Sequence, residues 1–393
     1  MMSRYYPNYL EYKTYNFFGT LKCRKYINLL FFFAFLLFLL LSNGLYAQSK
    51  NSDAAAKRLE ETLGSSSAGI QSTKGGTQPT WVTNPYTTYS KDRYIAAVGF
   101  AANRAEAEKK AFAALVAVFG QSIKADLEVA TIYSEAVANG RISVSENTHV
   151  RDTIATAASL NALIGAEIGN VWEDGRGTIN ALAFIERPKA ITIYTDLIIL
   201  NQRSIENLTA INATEKNTLA GYARYKLAAL IAGINVEYTG VVSVLGGSTT
   251  SFKLIDANSL NIEAQNIIRN IAVGFNVNGD NNNRVRAAFA KVLNSEGLRT
   301  QGSNTPYILD ININMSEAKF PNSEYISCRY SVNANLIEKS SGNVLFPFSI
   351  TSKDAHATYE EAQARAYLQI ERIVAEKYPA VLKEYFTTLL SQK

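Results

Sequence analysis

Cysteine and histidine are scarce in this chain of 393 residues, with two of each. Cys23 lies in an N-terminal segment read below as removable, which leaves Cys328 alone and excludes an intramolecular disulfide. A lone thiol in an oxidising compartment is expected to be buried and inert. His149 stands in a polar stretch beside Asp152, and His356 stands just before a helix cap. Neither shows the ligand spacing of a zinc site, and both read as solvated loop histidines. Gly-x-Ser-x-Gly, His-Glu-x-x-His, phosphate-loop and dinucleotide fingerprints are all missing. Gly246-Gly247-Ser248-Thr249 lacks the lysine of a phosphate loop. Gly279-Asp280-Asn281-Asn282-Asn283 has one carboxylate and no closing acid, so it reads as a turn and not a calcium loop. No catalytic, cofactor or metal residue is assigned.

Excess charge is also lacking once the termini are separated. The whole chain carries +5. Residues 1–47 hold Arg4, Lys13, Lys22, Arg24 and Lys25 against Glu11 alone, so the remainder is near +1. Without clustered Lys and Arg in that remainder, a nucleic-acid partner is not expected.

What is present begins with an apolar run, Leu29 to Leu41, preceded by Lys22, Arg24 and Lys25 and followed by Leu45-Tyr46-Ala47. These are the parts of a secretory signal peptide cut after Ala47. The run has 13 residues, about 20 Å of helix against a hydrocarbon core of about 30 Å. An uncleaved anchor is the rival, and both put the rest of the chain outside the cytoplasm. No cysteine stands directly after the run, so outer-membrane association would have to do without a lipid anchor.

Residues 48–78 read as a flexible linker, with a short helix near Asp53 to Leu63 and a Ser, Gly, Thr and Gln stretch after it. A first α+β domain is expected over 79–205. Tyr94 to Ala101 is a strand, and Asn103 with Glu106 opens a helix carrying Ala107, Ala111 and Leu115 at helical spacing. Ile123 to Val129 alternates as a strand, and Asp174-Gly175 marks a hairpin. Arg187-Pro188 opens a helix to about Leu208. A helical connector follows over 206–251, with Tyr238 to Ser251 read as strand or loop. A second α+β domain spans 252–393, with strands over Ile271–Val277, Tyr307–Met315, Tyr325–Ile337 and Asn343–Ser349. Tyr307–Met315 alternates, and Tyr325–Ile337 places Ile326, Cys328, Tyr330, Val332, Ala334 and Leu336 on one face and Ser327, Arg329, Ser331, Asn333 and Asn335 on the other. A final long helix is capped by Thr358 and Glu361 and bent at Pro379. The order argues for α+β architecture, each half a strand–helix–antiparallel-strands sandwich with helices on one sheet face.

Asn103-x-x-Glu106-Ala107-x-x-Lys110-Ala111 is matched by Thr358-x-x-Glu361-Ala362-x-x-Arg365-Ala366. Duplication and convergence on good helix-start chemistry both account for this. Trp81, Tyr86 and Tyr89 are candidate partner-binding residues, with packing at the sheet rim as the plainer reading.

Pro79-x-Trp81-Val82, then Tyr94 with Ala97-Val98-Gly99-x-Ala101 and the alanines of Ala105 to Ala114, resembles the Lpp-type twenty-kilodalton outer-membrane lipoprotein family. The same stretch, roughly 79–187, is similar to the N-terminal domain of the flagellar protein FlgT. The second half is more weakly similar to small periplasmic domains of TolB and curli-secretion-type proteins. The resemblance implies an envelope assembly or surface protein, with envelope proteins or a second copy of itself as partners and no catalysis. Because the lipobox cysteine is missing, it does not imply lipid anchoring here. The alternative is an exported carbohydrate-binding or hydrolytic protein whose site is assembled from separated acids and aromatics.

Overall fold

The computed structural model describes residues 53–59, 61–62, 71–119, 163–302, 305–319 and 324–389. The signal segment with its cleavage point, the strand expected over Ile123–Val129, and His149 lie outside them.

The first sheet has the order β1(Gln71–Lys74), β3(Ala166–Glu173), β4(Ile179–Glu186), β2(Tyr94–Ala101). Its central strands pair antiparallel, and β1 joins β3 in parallel, so the sheet is mixed. The Asp174-Gly175 hairpin forms as expected. The Asp174 carboxylate accepts from the backbone N–H groups of Thr178 (2.7 Å) and Arg176 (2.8 Å). Those donors hold its pKa below the ordinary carboxylate value, Thr178 most strongly.

One expectation fails upstream. The stretch read as flexible linker contains β1, while the short helix expected near Asp53 does form, over residues 53–59 (α1), and buries Ala55 and Leu59 completely. All four side chains of β1 are exposed. Strand pairing uses backbone groups, so a polar sequence can enter a sheet without burying side chains.

Helix α2(Arg104–Val118) lies on β2 and β4. The Asn103 side chain accepts from the Glu106 N–H at 2.9 Å and caps it. The alanine spacing has a clear cause. A Cβ added at Gly99 would stand 2.1 Å from the Ala111 backbone nitrogen, so helix and strand touch backbone to backbone.

Helix α3(Arg187–Thr209) leaves β4 directly and runs through the boundary expected at 205/206. After the short α4(Ala213–Lys216), helix α5(Leu219–Val244) turns back along α3. The segment Tyr238–Val244, read as strand or loop, is the end of this helix. Val241 and Val242 are buried there, and Tyr238 packs edge-on against Tyr194 at 5.1 Å. That packing outweighs the β-branched residues and Gly240, which lower helix propensity. α5 is long and apolar enough to cross a membrane by composition, and half of its most apolar window is buried inside the protein. The Gly246-Gly247 pair closes it: Gly246 adopts φ 87°, and the Gly247 N–H donates to the Val242 carbonyl at 2.9 Å.

Helix α6(Ala257–Asn270) leads to the second sheet, ordered β5(Val273–Asn278), β6(Tyr307–Lys319), β7(Ile326–Glu338), β8(Val344–His356). β5 and β6 are parallel and joined through α7(Arg284–Ser295), whereas β6, β7 and β8 form an antiparallel meander. The terminal helix α8(Tyr359–Leu389) contains Pro379 and packs on β7, β8 and α7. Ala362, Ala366, Ile370, Val374, Tyr378 and Leu382 form its buried stripe. They recur at three- and four-residue intervals, one face of a helix.

Three hydrophobic clusters result, the smallest on the face of the first sheet opposite α2, and the helices join the other two. One gathers α1, α2, α3, α5 and the inner face of the first sheet; the other gathers α7, α8 and the inner face of the second. They approach at the start of α5, where the Leu219 N–H donates to Tyr307 Oη at 3.2 Å.

Candidate functional site

The three aromatic candidates lie on the face of the first sheet opposite α2. Short 3-10 turns at Thr80–Val82 and Pro85–Thr87 fold over that face and bring Trp81 and Tyr89 onto Ala96, Trp172, Leu182 and Phe184. Trp81 is 6% exposed. Tyr89 stacks on Phe184 at 4.5 Å and donates from Oη to the Asn170 side chain at 3.2 Å. A Cβ at Gly169 would fall 1.9 Å from that phenolic oxygen, so this glycine is required for the ring's seat. Tyr86 is half-buried at the margin. The structure thus brings the three together at a small core on this face: Trp81 is buried within it, and Tyr86 and Tyr89, both half-buried, pack against it.

The titratable candidates resolve into structural roles. His356 ends β8 and its Nδ1 meets Glu361 Oε2 at 2.5 Å. Glu361 also receives the Thr358 hydroxyl at 3.1 Å, and its N–H donates back to Thr358 Oγ1 at 3.2 Å. Contact with His356 first, then Thr358, holds the Glu361 pKa below the usual value. The group is a helix cap. Asp280 caps α7, accepting from the N–H groups of Arg284 (3.1 Å) and Arg286 (2.9 Å). Cys328 is buried near Tyr359, and burial pushes its thiol pKa up, which disfavours the nucleophilic thiolate. Among the described residues, no group of three or more His, Cys, Asp or Glu side chains is placed to hold a metal ion.

The arrangement with binding chemistry lies elsewhere, on the outer face of the second sheet. α7 and α8 cover the inner face. The strands alternate, so the polar residues of four strands share the outer one. Asn278, Asn312, Asn333 and Ser349 form one cross-strand row; Asn276, Asp310 and Asn335 form the next. Asn278 donates to Asn312 at 3.0 Å, Asn312 donates to Asp310 at 3.0 Å, and Asn276 donates to the same carboxylate. Toward the other end come Asn314–Ser331–Thr351 and then Ser316–Arg329–Lys353. These last two rows line a shallow cavity of about 480 Å³. Alternation along β7 puts Ser327, Arg329, Ser331, Asn333 and Asn335 on one face but does not say which neighbours they meet. The alternation of β6 and β8 matches that of β7, and it becomes a shared surface only once register is known.

No family model matches the chain, and no characterised protein matches it by sequence. Similar solved structures include a secreted protein of Helicobacter pylori, with 13% identity and TM-score 0.37, covering 75% of this chain and 97% of that one. A minor lipoprotein of Acinetobacter baumannii has 15% identity and TM-score 0.23, covering 30% and 93%. The rare lipoprotein B of Shewanella oneidensis has 10% identity and TM-score 0.22, covering 30% and 95%.

Proposed function

We propose that the chain is an exported, non-enzymatic protein of the bacterial cell envelope that works by contact with other envelope proteins. The observation that carries the reading is the leader: a basic stretch, an apolar run too short to be an ordinary spanning helix, and a small residue at the cut. The nearly neutral remainder supports it, since nothing there suits nucleic acid.

Open strand edges supply surface for such contact. β8, of 13 residues, ends one sheet, and among the described residues no strand pairs with its outer edge. β2 ends the other sheet and carries Phe100, which is 64% exposed. An open edge offers a row of backbone donors and acceptors to a strand of another chain.

The test is fractionation of native cells, with mass spectrometry of the N-terminus and cross-linking in intact envelopes. Export predicts an N-terminus at Gln48 in the envelope fraction and a cross-linked partner. Full-length protein in the cytosol overturns the export reading, and a purely monomeric envelope form overturns the contact reading.

A further inference from the structure

We propose that the partly exposed stripe of α5 is a self-association face, on which two copies of the chain pair antiparallel about a two-fold axis. The inference rests on the contact reading and names one partner for it.

Lys226, Leu230, Gly233, Glu237, Gly240 and Val244 follow one another at alternating intervals of four and three residues. That spacing draws one stripe along a helix, and it is the spacing of the seam in a two-helix coiled coil. α5 buries a different stripe against α3, where Asn235 and Tyr238 make their contacts. The second stripe stays partly open to water: Lys226 and Val244 are exposed, and the other four are half-buried. Val236, beside it, is 54% exposed. A Cβ added at Gly233 would meet nothing within 4 Å, so a helix laid here could approach the backbone closely.

Charge selects the occupant. Lys226 and Glu237 lie eleven residues apart on the stripe, about three helical turns. Lys226 Nζ donates to the neutral Asn261 amide at 3.2 Å, and among the described residues neither charge is in an ion pair. Partial burial raises the Glu237 pKa, and no cation offsets it. In an antiparallel pair that sets Lys226 against the partner's Glu237, the two-fold axis also sets Glu237 against the partner's Lys226. The same axis places Leu230 against the partner's Gly233. Each charge gains an opposite one, and each leucine gains the gap left by a missing side chain. Such an isologous contact matches one patch to itself. A parallel pair in register would oppose like charges. One helix pair is a small interface, so the dimer should be weak.

The experiment is sedimentation equilibrium of the purified full chain, lacking residues 1–47, from about 5 to 500 µM. A concentration-dependent dimer is expected. Lys226→Glu and Glu237→Lys should each weaken it about tenfold or more by opposing like charges. Mixing these two variants should restore association, since both contacts of the mixed pair then set Glu against Lys. Gly233→Leu, whose side chain enters open space in the monomer, should weaken association about tenfold and leave the thermal melt intact. Recovery on mixing, together with the melts, separates a lost contact from a lost fold. A monomer across the whole range, a dimer indifferent to all three substitutions, or no recovery on mixing overturns the proposal. A monomer that co-sediments with phosphatidylglycerol vesicles, and loses this on Val236→Glu, assigns the stripe to a lipid surface and overturns it too. The contact reading is tested by cross-linking to any envelope protein, so it survives a failure here.

Discussion

Arg58 of α1 donates two hydrogen bonds to the carboxylate of Asp196 on α3, at 2.5 Å to Oδ1 and 3.2 Å to Oδ2. Asp196 is 1% exposed, whereas the arginine reaches water. The pair, with Arg203–Asp53 beside it at 2.6 Å, clamps α1 to the helical layer. Burial raises the Asp196 pKa, and Arg58 offsets this only in part.

A carboxyl whose pKa is higher folded than unfolded favours folding while protonated. That contribution is complete below its ordinary value of 3.8 and is lost as pH rises through the raised folded value. Asp196→Asn should therefore flatten stability against pH in the mildly acidic range. Arg58→Ala should destabilise by about 1–3 kcal/mol at neutral pH, since it leaves the carboxylate buried and less well paired. Urea unfolding of each variant from pH 4 to 7 measures both.

Gly99→Ala should cost about 3 kcal/mol or prevent folding. The added Cβ meets the Ala111 nitrogen, the Ala107 carbonyl oxygen and the Lys110 carbonyl carbon, all within 2.6 Å. All three are backbone atoms, so no rotamer change relieves the overlap. Gly175→Ala, at an open turn position, serves as the control and should be nearly neutral by thermal melt.

Asn201 donates to Asn235 at 2.8 Å between α3 and α5, and both amides are buried. Asn235→Leu should cost about 1–3 kcal/mol by stranding its partner. Asn201→Leu/Asn235→Leu should cost less than the sum of the single changes. A double-mutant cycle in urea reads this coupling, and strict additivity would contradict it.

Trp81→Ala should destabilise by about 3–5 kcal/mol, in the range for large aromatic truncations in a core. Tyr86→Ala and Tyr89→Ala should each cost less, because both rings are only half-buried. If all three instead leave stability unchanged and abolish partner cross-linking, the aromatic group is a docking platform and not a core.

Much of the fold was legible locally. The caps at Asn103 and Thr358 are hydrogen-bond chemistry over three residues, and each side chain accepts the expected N–H. The β7 alternation placed Cys328, Tyr330 and Val332 inside and Arg329 outside. Less visible was anything decided by a distant partner. β1 is polar throughout and becomes a strand only because the edge of β3 is available. The end of α5 is helical because Tyr194 and the buried layer wait for it. The polar sheet face was invisible for the same reason, since its rows join residues from four separate strands.

By itself, the amino-acid order determined the period of most elements, the caps at Asn103 and Thr358 and the Asp174-Gly175 turn, because those depend on neighbours within a few residues. Only tertiary structure decided strand partners, the mixed character of both sheets, and which polar residues converge at Arg329 and Lys353. Register is a contact between remote segments, and it is chosen by the burial of whole faces at once.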